Sequence, residues 1–355
     1  MGSSWQTQEW GDSWLSQMAV VIPCRNETAT ILDVVAKLPE GLGQWLVVDN
    51  GSNLDCQILL QHHIPKDHLL SVESPLGVGG AFLAGCSRLH ASIRWVCKLD
   101  GDGQFGDVVL AELLRVAAQG NRALLKTARC SRQGWGMEAE RCGSRHWGNQ
   151  WLTLVLAVAS GYYLLEDGTS GLFVIEKQAL MAAKAMGSLR PDYGFETSLL
   201  LALGSLGAPV MELRVPILYC KERGKTFRAR MLAMPLLLTL VQGGVRRLLR
   251  SHLVYRLSAG GVLLVLAAVF LASGIGLTAL AAIKAVGLGL PTTPGISAAA
   301  TSLISWGLLC GAGFVAYDFA SAYRRFCCTT LFACWQPIAT QGIQATNTHQ
   351  AKRPS

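Results

Sequence analysis

Charge is scarce in this 355-residue chain, with 15% of its residues being Asp, Glu, Lys or Arg. Ordinary soluble domains carry about 25%, so a wholly water-soluble protein is disfavoured. The apolar content of 51% and the lack of any short repeat exclude disordered and fibrous chains. Cysteine occurs eleven times but never with the paired spacing of a zinc site. The one tight group, Cys327, Cys328 and Cys334, reads as free thiols. No histidine pairs with a carboxylate in a pattern that marks a general base, and His62, His63 and His68 lie in a polar stretch that reads as surface. No basic segment precedes the first apolar run. Residues 1–17 hold Trp5, Trp10 and Trp14 with Glu9 and Asp12, which does not describe a secretory signal. Gln6 stands where a myristoylated chain carries Ser or Thr. The main domain is therefore expected in a reducing, cytoplasmic setting.

The charge that exists is localised. Between Lys221 and Arg256 there are nine basic residues and one acid, Glu222, which accounts for the whole formal net charge of +8. A nucleic-acid partner is not expected, because the rest of the chain sums to zero. Beyond this belt lie two long uncharged runs, 257–283 and 285–317. About 20 apolar residues cross a bilayer core of roughly 30 Å, so the runs predict two spans, about 257–283 and 295–317. Arg246, Arg247, Arg250 and Arg256 precede the pair, Arg324 and Arg325 follow it, and Lys284 alone lies between. The positive-inside rule then puts both flanks in the cytoplasm. Residues 151–165, too short to span, predict a buried helix of the soluble part, and 231–245 predict a helix lying in the interface plane.

Upstream, residues 18–22 (MAVVI), 44–48 (QWLVV) and 95–99 read as buried parallel strands, with helices over about 28–38 and 78–92. Such alternation predicts an α/β domain, in which ligands bind at the carboxyl ends of strands. Those ends are Pro23–Glu27, Asp49–Asp55 and Asp100–Gln104. Asp100-Gly101-Asp102-Gly103-Gln104 offers hard oxygen ligands to Mg²⁺ or Mn²⁺, although a D-x-D alone also describes a plain polar turn.

Seven segments in order carry a resemblance: VVIPCRNE (20–27), VVDNGSNLD (47–55), SPLGVGGAFLAG (74–85), KLDGDGQ (98–104), DGTSGLFVIEKQAL (167–180), YGFETSLLLAL (193–203) and VPILYCKERGKTF (215–227). The set resembles glycosyltransferase family 2, and within it the polyprenol-phosphate glycosyltransferase branch. The resemblance implies a GT-A fold, Rossmann-like with a mostly parallel sheet, followed by a two-helix transmembrane hairpin. It implies a nucleotide-diphosphate sugar held by Pro23, Arg25, Glu27, Asp49, Asp100 and Gln104. It implies a divalent metal on Asp100, Asp102 and Gln104, with catalytic roles for Asp100, Asp102, Asp167, Lys221 and Arg223. Arg129, Arg145, Ser170, Lys225 and Arg228 correspond to acceptor and phosphate positions. The chain departs from the family at Asn50, where relatives often read aspartate. It departs again in the phosphate loop, where Lys221, Gly224, Thr226 and Phe227 leave out a final lysine, a charge that Arg223, Lys225 or Arg228 can supply. The Gly77–Gly80 loop reads as structural, and Glu196 as a helix residue facing the cleft, salt-bridged or catalytic.

Together these predict a tail (1–17), a GT-A domain (18–225), a basic amphipathic interfacial segment (226–256), the hairpin (257–320) and a cytoplasmic tail (321–355). The expected activity is inverting transfer of a monosaccharide to a polyprenyl phosphate (dolichyl or undecaprenyl) at a lipid bilayer, by a chain that can form homo-oligomers. Alternatives are transfer to a hydroxyl of another membrane lipid, which would need a general base, and a non-catalytic membrane accessory protein.

Overall fold

The computed structural model describes residues 14–105, 107–118, 122–129, 143–215, 229–254, 257–289, 293–323 and 326–329. The first apolar run forms β1 (Met18–Cys24), buried at every position, as a strand covered on both faces must be. It is followed by α1 (Ile31–Ala36), β2 (Gln44–Asp49), α2 (Leu54–His63) and β3 (Leu69–Ser71). Asn53 caps α2, its side chain accepting from the Cys56 amide at 3.2 Å. Then come α3 (Gly77–Cys86), β4 (Trp95–Lys98), α4 (Asp107–Ala118), β5 (Leu124–Arg129) and α5 (Gly143–Ser160). The domain is completed by β6 (Phe173–Glu176), α6 (Lys177–Ala185), α7 (Phe195–Leu206) and β7 (Val210–Val215).

The sheet has the order β3-β2-β1-β4-β6-β5-β7, with one further strand beside β7, and among the described strands only β6 runs antiparallel to its neighbours. Side chains alternate between its faces. Ala19, Val21 and Val48 pack with Phe82 of α3 and Leu199 of α7, whereas Val20, Ile22 and Val47 pack with Ile31, Leu60 and Leu113. β1, β2 and β4 are mutually parallel. Their carboxyl ends therefore open at one edge, where the chain has wound outward to β3 and back to β4, the place such sheets bind ligands.

After β7 the chain leaves the sheet through α8 (Ala229–Leu249) and a π-helical turn, Arg250–Val254. Two apolar helices follow, α9 (Ala259–Leu288) and α10 (Pro294–Tyr323), which pack on each other. Both are long and apolar enough to cross a membrane. The chain then returns as β8 (Phe326–Thr329), parallel to β7 at the sheet edge.

Two expectations are corrected here. Residues 151–165 are not simply a buried helix: Trp151, Leu154, Val155 and Val158 of α5 are exposed, while Thr153, Leu156, Ala157 and Ser160 are buried. A uniformly apolar run hides this two-sidedness, since polarity does not mark the outer face. The segment after the hairpin is not only a tail, because Phe326–Thr329 complete the sheet. The initial tail through residue 13 lies outside the described residues.

Candidate active site

The three strand ends are laced together by their own backbone and short polar side chains. Asn26, in the left-handed region at φ 59°, accepts from the Asn53 amide at 2.7 Å and donates its own amide to Ser52 Oγ at 3.1 Å. Asp49 is buried and accepts from the Ser52 amide at 3.0 Å. Asn50 Oδ1 accepts from the Leu76 amide at 2.7 Å, fastening the start of α3. The amide of that side chain replaces a carboxylate without losing this bond. Thr30 Oγ1 donates to Gly101 O at 2.7 Å, joining the loop after β1 to the acidic turn. Pro23 is buried within β1, Glu27 is buried beside it and Arg25 is exposed at the mouth.

The acidic turn itself is built by Gly103 at φ +72°, a conformation that costs glycine nothing. The Gln104 amide donates to Asp102 Oδ1 at 3.2 Å and its side-chain Nε2 to Oδ2 at 2.7 Å. Burial, and then the neighbouring Asp100 charge, raise the Asp102 carboxyl above the ordinary aspartate range. A cation between the two acids would relieve that repulsion. Asp100, Asp102 and Gln104 offer hard oxygens that fit Mg²⁺ or Mn²⁺. Among the described residues no three His, Cys, Asp or Glu side chains converge into a closed cage.

Behind the turn lies a residue that the sequence reading passed over. Lys98, the last residue of β4, is buried and reaches Asp100 Oδ1 at 2.6 Å, Glu196 Oε1 at 3.0 Å and Gly171 O at 3.2 Å. Burial alone would lower its pKa, but the Asp100 and Glu196 carboxylates outweigh burial and hold the ammonium above its ordinary value. Glu196 is thus salt-bridged, at the first turn of α7. The available signal was a lone lysine inside an apolar strand two residues before the acids. Gly171 closes this side, since a Cβ there would overlap the Asp100 carboxylate.

The loop 166–172 forms the opposite wall. Glu212 of β7, wholly buried, accepts from the Glu166 amide at 2.7 Å and the Asp167 amide at 3.2 Å, and pairs with Lys126 Nζ at 3.2 Å. Lys126 also donates to the Asp167 carbonyl. Burial raises the Glu212 carboxyl above its ordinary range against the opposing pull of Lys126. Asp167, expected to be catalytic, is buried and accepts from the Thr169 amide at 3.0 Å, so in this structure it shapes the loop. Ser170, expected at the acceptor, is likewise fully buried, its hydroxyl paired with Thr127 Oγ1 at 2.5 Å. Both side chains thus line the loop from inside, since a motif places a residue along the chain but does not say which way it faces. From α5, Asn149 Oδ1 accepts from Thr169 Oγ1 at 2.7 Å and Thr153 Oγ1 accepts from the Gly168 amide at 3.1 Å. Arg129 ends β5 and Arg145 lies in the first turn of α5, with their side chains outside the described residues. Lys221, Arg223, Lys225 and Arg228 also lie outside the described residues.

Against known families, the model described as Glycosyl transferase family 2 matches residues 19–179, which spans β1 to α6 with the acidic turn between them. The chain carries a glycosyl transferase family 2 domain. This glycosyltransferase domain is similar to glucosyl-3-phosphoglycerate synthase from Mycobacterium tuberculosis in complex with Mn²⁺, UDP and glucosyl-3-phosphoglycerate. That match has TM-score 0.51 and 19% identity, and covers 68% of this chain and 87% of the other. The same enzyme with phosphoglyceric acid matches at TM-score 0.51 and 18% identity, covering 68% and 87%. Its complex with Mn²⁺, UDP-glucose and phosphoglyceric acid gives TM-score 0.51 and 19% identity, covering 68% and 86%. These likenesses establish a GT-A-like fold for the glycosyltransferase domain. No curated protein matches the chain.

Proposed function

We propose that this protein is a membrane-anchored, inverting glycosyltransferase that moves a monosaccharide from a nucleotide-diphosphate sugar to a polyprenyl phosphate. One observation carries the reading. Helix α5 builds the wall of the site with Asn149 and Thr153, and on its other side exposes Trp151, Leu154, Val155 and Val158. α8 packs beside it, Gly244 lying against Ala159, and exposes Met234, Leu237, Leu238, Val241, Val245 and Leu249 along one stripe. That stripe runs into the hairpin. Such a surface belongs at the boundary of headgroups and acyl chains, and it brings a lipid-borne acceptor to the site wall.

The chemistry needs few side chains. A phosphate monoester has its second pKa near about 6, so the acceptor oxygen is already anionic at neutral pH and no general base is required. That oxygen attacks the anomeric carbon as the bond to the nucleotide β-phosphate oxygen breaks. The nucleoside diphosphate leaves with the electron pair, and configuration inverts. A divalent metal on Asp100, Asp102 and Gln104 supplies charge neutralisation for the leaving diphosphate. Pro23, Arg25, Glu27 and Asp49 border the mouth as the donor's base and ribose wall. Lys98 fixes Asp100. Arg129, Arg145 and the basic residues Lys221, Arg223, Lys225 and Arg228 are proposed to bind the acceptor and donor phosphates.

Full-length protein in lipid nanodiscs, given radiolabelled nucleotide sugars, Mn²⁺ and polyprenyl phosphate, should form a lipid-linked monosaccharide. Asp102→Ala should abolish it. Transfer that goes instead to added phosphoglycerate, or to a lipid hydroxyl, would overturn the assignment of the acceptor.

A further inference from the structure

Away from the acidic turn, four polar side chains from four segments meet where the hairpin joins the domain. Asp318, near the end of α10, is 3% exposed. Arg247 of α8 grips it with two bonds, Nη1 to Oδ1 at 3.0 Å and Nη2 to Oδ2 at 2.8 Å. His252 of the π-helical turn approaches Oδ1 through Nε2 at 2.9 Å, and Tyr163 donates its hydroxyl to Oδ2 at 2.6 Å. The cluster extends at both ends. Arg247 also donates from Nε to Ala159 O at 2.9 Å and from Nη2 to Val158 O at 3.2 Å, the last carbonyls of α5. Gly161, at φ +79°, leaves room for the guanidinium, where a Cβ would collide with it. His252 Nδ1 lies 2.9 Å from Ser258 Oγ, the same hydroxyl that caps α9 by accepting from the Gly261 amide.

Anchoring does not call for this arrangement, since two apolar helices of sufficient length hold a protein in a bilayer by themselves. An acid near the end of a membrane helix is costly unless fully paired, and is kept for a purpose. Here its partners reach the C-terminal end of α5. Ten residues earlier, about 15 Å along the same helix, Asn149 supports the sugar-side loop through Thr169. One rigid element therefore runs from the hairpin junction to the wall of the site.

We propose that Arg247, Asp318, His252 and Tyr163 are positioning residues that fix α5, and with it the loop 166–172, relative to the membrane hairpin. Transfer to an acceptor held in the bilayer depends on them, whereas donor binding does not. The dependence on acceptor rests on the reading of function given above; the mechanical coupling does not.

Removing one member leaves a buried charge unpaired and threatens the fold, so the informative variant is the neutral pair Arg247→Met/Asp318→Asn in full-length protein in nanodiscs. The expected result is an unchanged KM for the nucleotide sugar and unchanged slow hydrolysis of the donor by water, with kcat/KM for polyprenyl phosphate lower by about tenfold or more. Hydrogen exchange, measured without substrate, should rise over residues 157–172. Wild-type transfer by the variant, or hydrolysis falling in parallel with transfer, would overturn the proposal. If the wild type glycosylates no polyprenyl phosphate, the acceptor reading fails. The exchange comparison still decides the coupling: higher exchange over 157–172 supports it, and identical exchange sinks it.

Discussion

Lys98 shows how a single buried cation can organise an anionic site. It lies between two carboxylates, Asp100 at 2.6 Å and Glu196 at 3.0 Å, and offsets one of their two charges. Replacing it by methionine takes the trio from a net charge of −1 to −2 and leaves the largely covered Glu196 without its partner. Losing one member of a buried pair costs roughly 3–5 kcal/mol; Asp100 is about one-third exposed and water softens its share, so Lys98→Met should lose about 3 kcal/mol in urea unfolding. The donor KM should rise several-fold, because the uncompensated acids repel the diphosphate. Gly171→Ala tests the same place by shape alone. Its new methyl would displace the Asp100 carboxylate, and a displacement near 1 Å costs about 10²-fold in rate, so kcat should fall by that order while thermal stability changes little. A milder residue effect is set by pH. Arg190 donates to Asp192, Nε to Oδ1 at 2.9 Å, and holds that carboxyl below the ordinary aspartate value. The stability it contributes is therefore present above about pH 3.9 and is lost as pH falls through the lower folded value. Asp192→Asn should flatten the acid limb of urea-unfolding stability slightly, since the side chain is one-third exposed.

At the scale of elements, α8 serves two surfaces. Its inner face packs glycines closely, Gly243 on Leu201 and Gly244 on Ala159, while its outer stripe is bare. Burying one such leucine stabilises by about 1.5–3 kcal/mol. Leu238→Asp/Val241→Asp should accordingly reduce transfer to a nanodisc-borne acceptor about tenfold, with donor hydrolysis and thermal melting close to wild type because neither side chain touches the core. The strands β1, β2 and β4 and both hairpin helices were legible in the sequence, because unbroken apolar runs of two distinct lengths announce buried strands and long apolar helices. The outer face of α5 was not, since Trp151, Leu154, Val155 and Val158 differ in no local property from the buried Leu156 and Ala157. The acidic turn was legible because it follows its strand directly. Lys98, Lys126 and Glu212 were not, because a charged residue in a strand reveals its partner only when the strand order is known.

At the scale of the whole molecule, β8 restricts how the hairpin can sit. It lies parallel to β7 in the same sheet, so under the proposed membrane anchoring the chain that leaves after β7 must return to the same side of the bilayer. An even number of spans satisfies this and a single span does not. Arginine then selects the side, although one of the counted residues drops out: Arg247 is buried and paired with Asp318, so it no longer acts as a surface charge. Arg246, Arg250, Arg256, Arg324 and Arg325 still outweigh Lys284. Helix α9, at 30 residues, is about 45 Å long, well beyond a hydrocarbon core of roughly 30 Å. In the proposed bilayer placement that surplus would let the helix ends near His252 and Asp318 stand among headgroups, where a charged cluster is tolerated. The proposed cytoplasmic placement of the catalytic domain has a direct consequence for labelling in intact cells. Thr293→Cys, exposed between α9 and α10, should react with a membrane-impermeant maleimide from outside. Ala111→Cys, exposed on α4, should react only after the cells are opened, both sites being read by peptide mapping against the native cysteines. Labelling of residue 111 from outside would place the sheet and its acidic turn on the wrong side for a cytoplasmic nucleotide sugar. Labelling of both residues from one side would mean that the hairpin lies along the membrane and does not cross it.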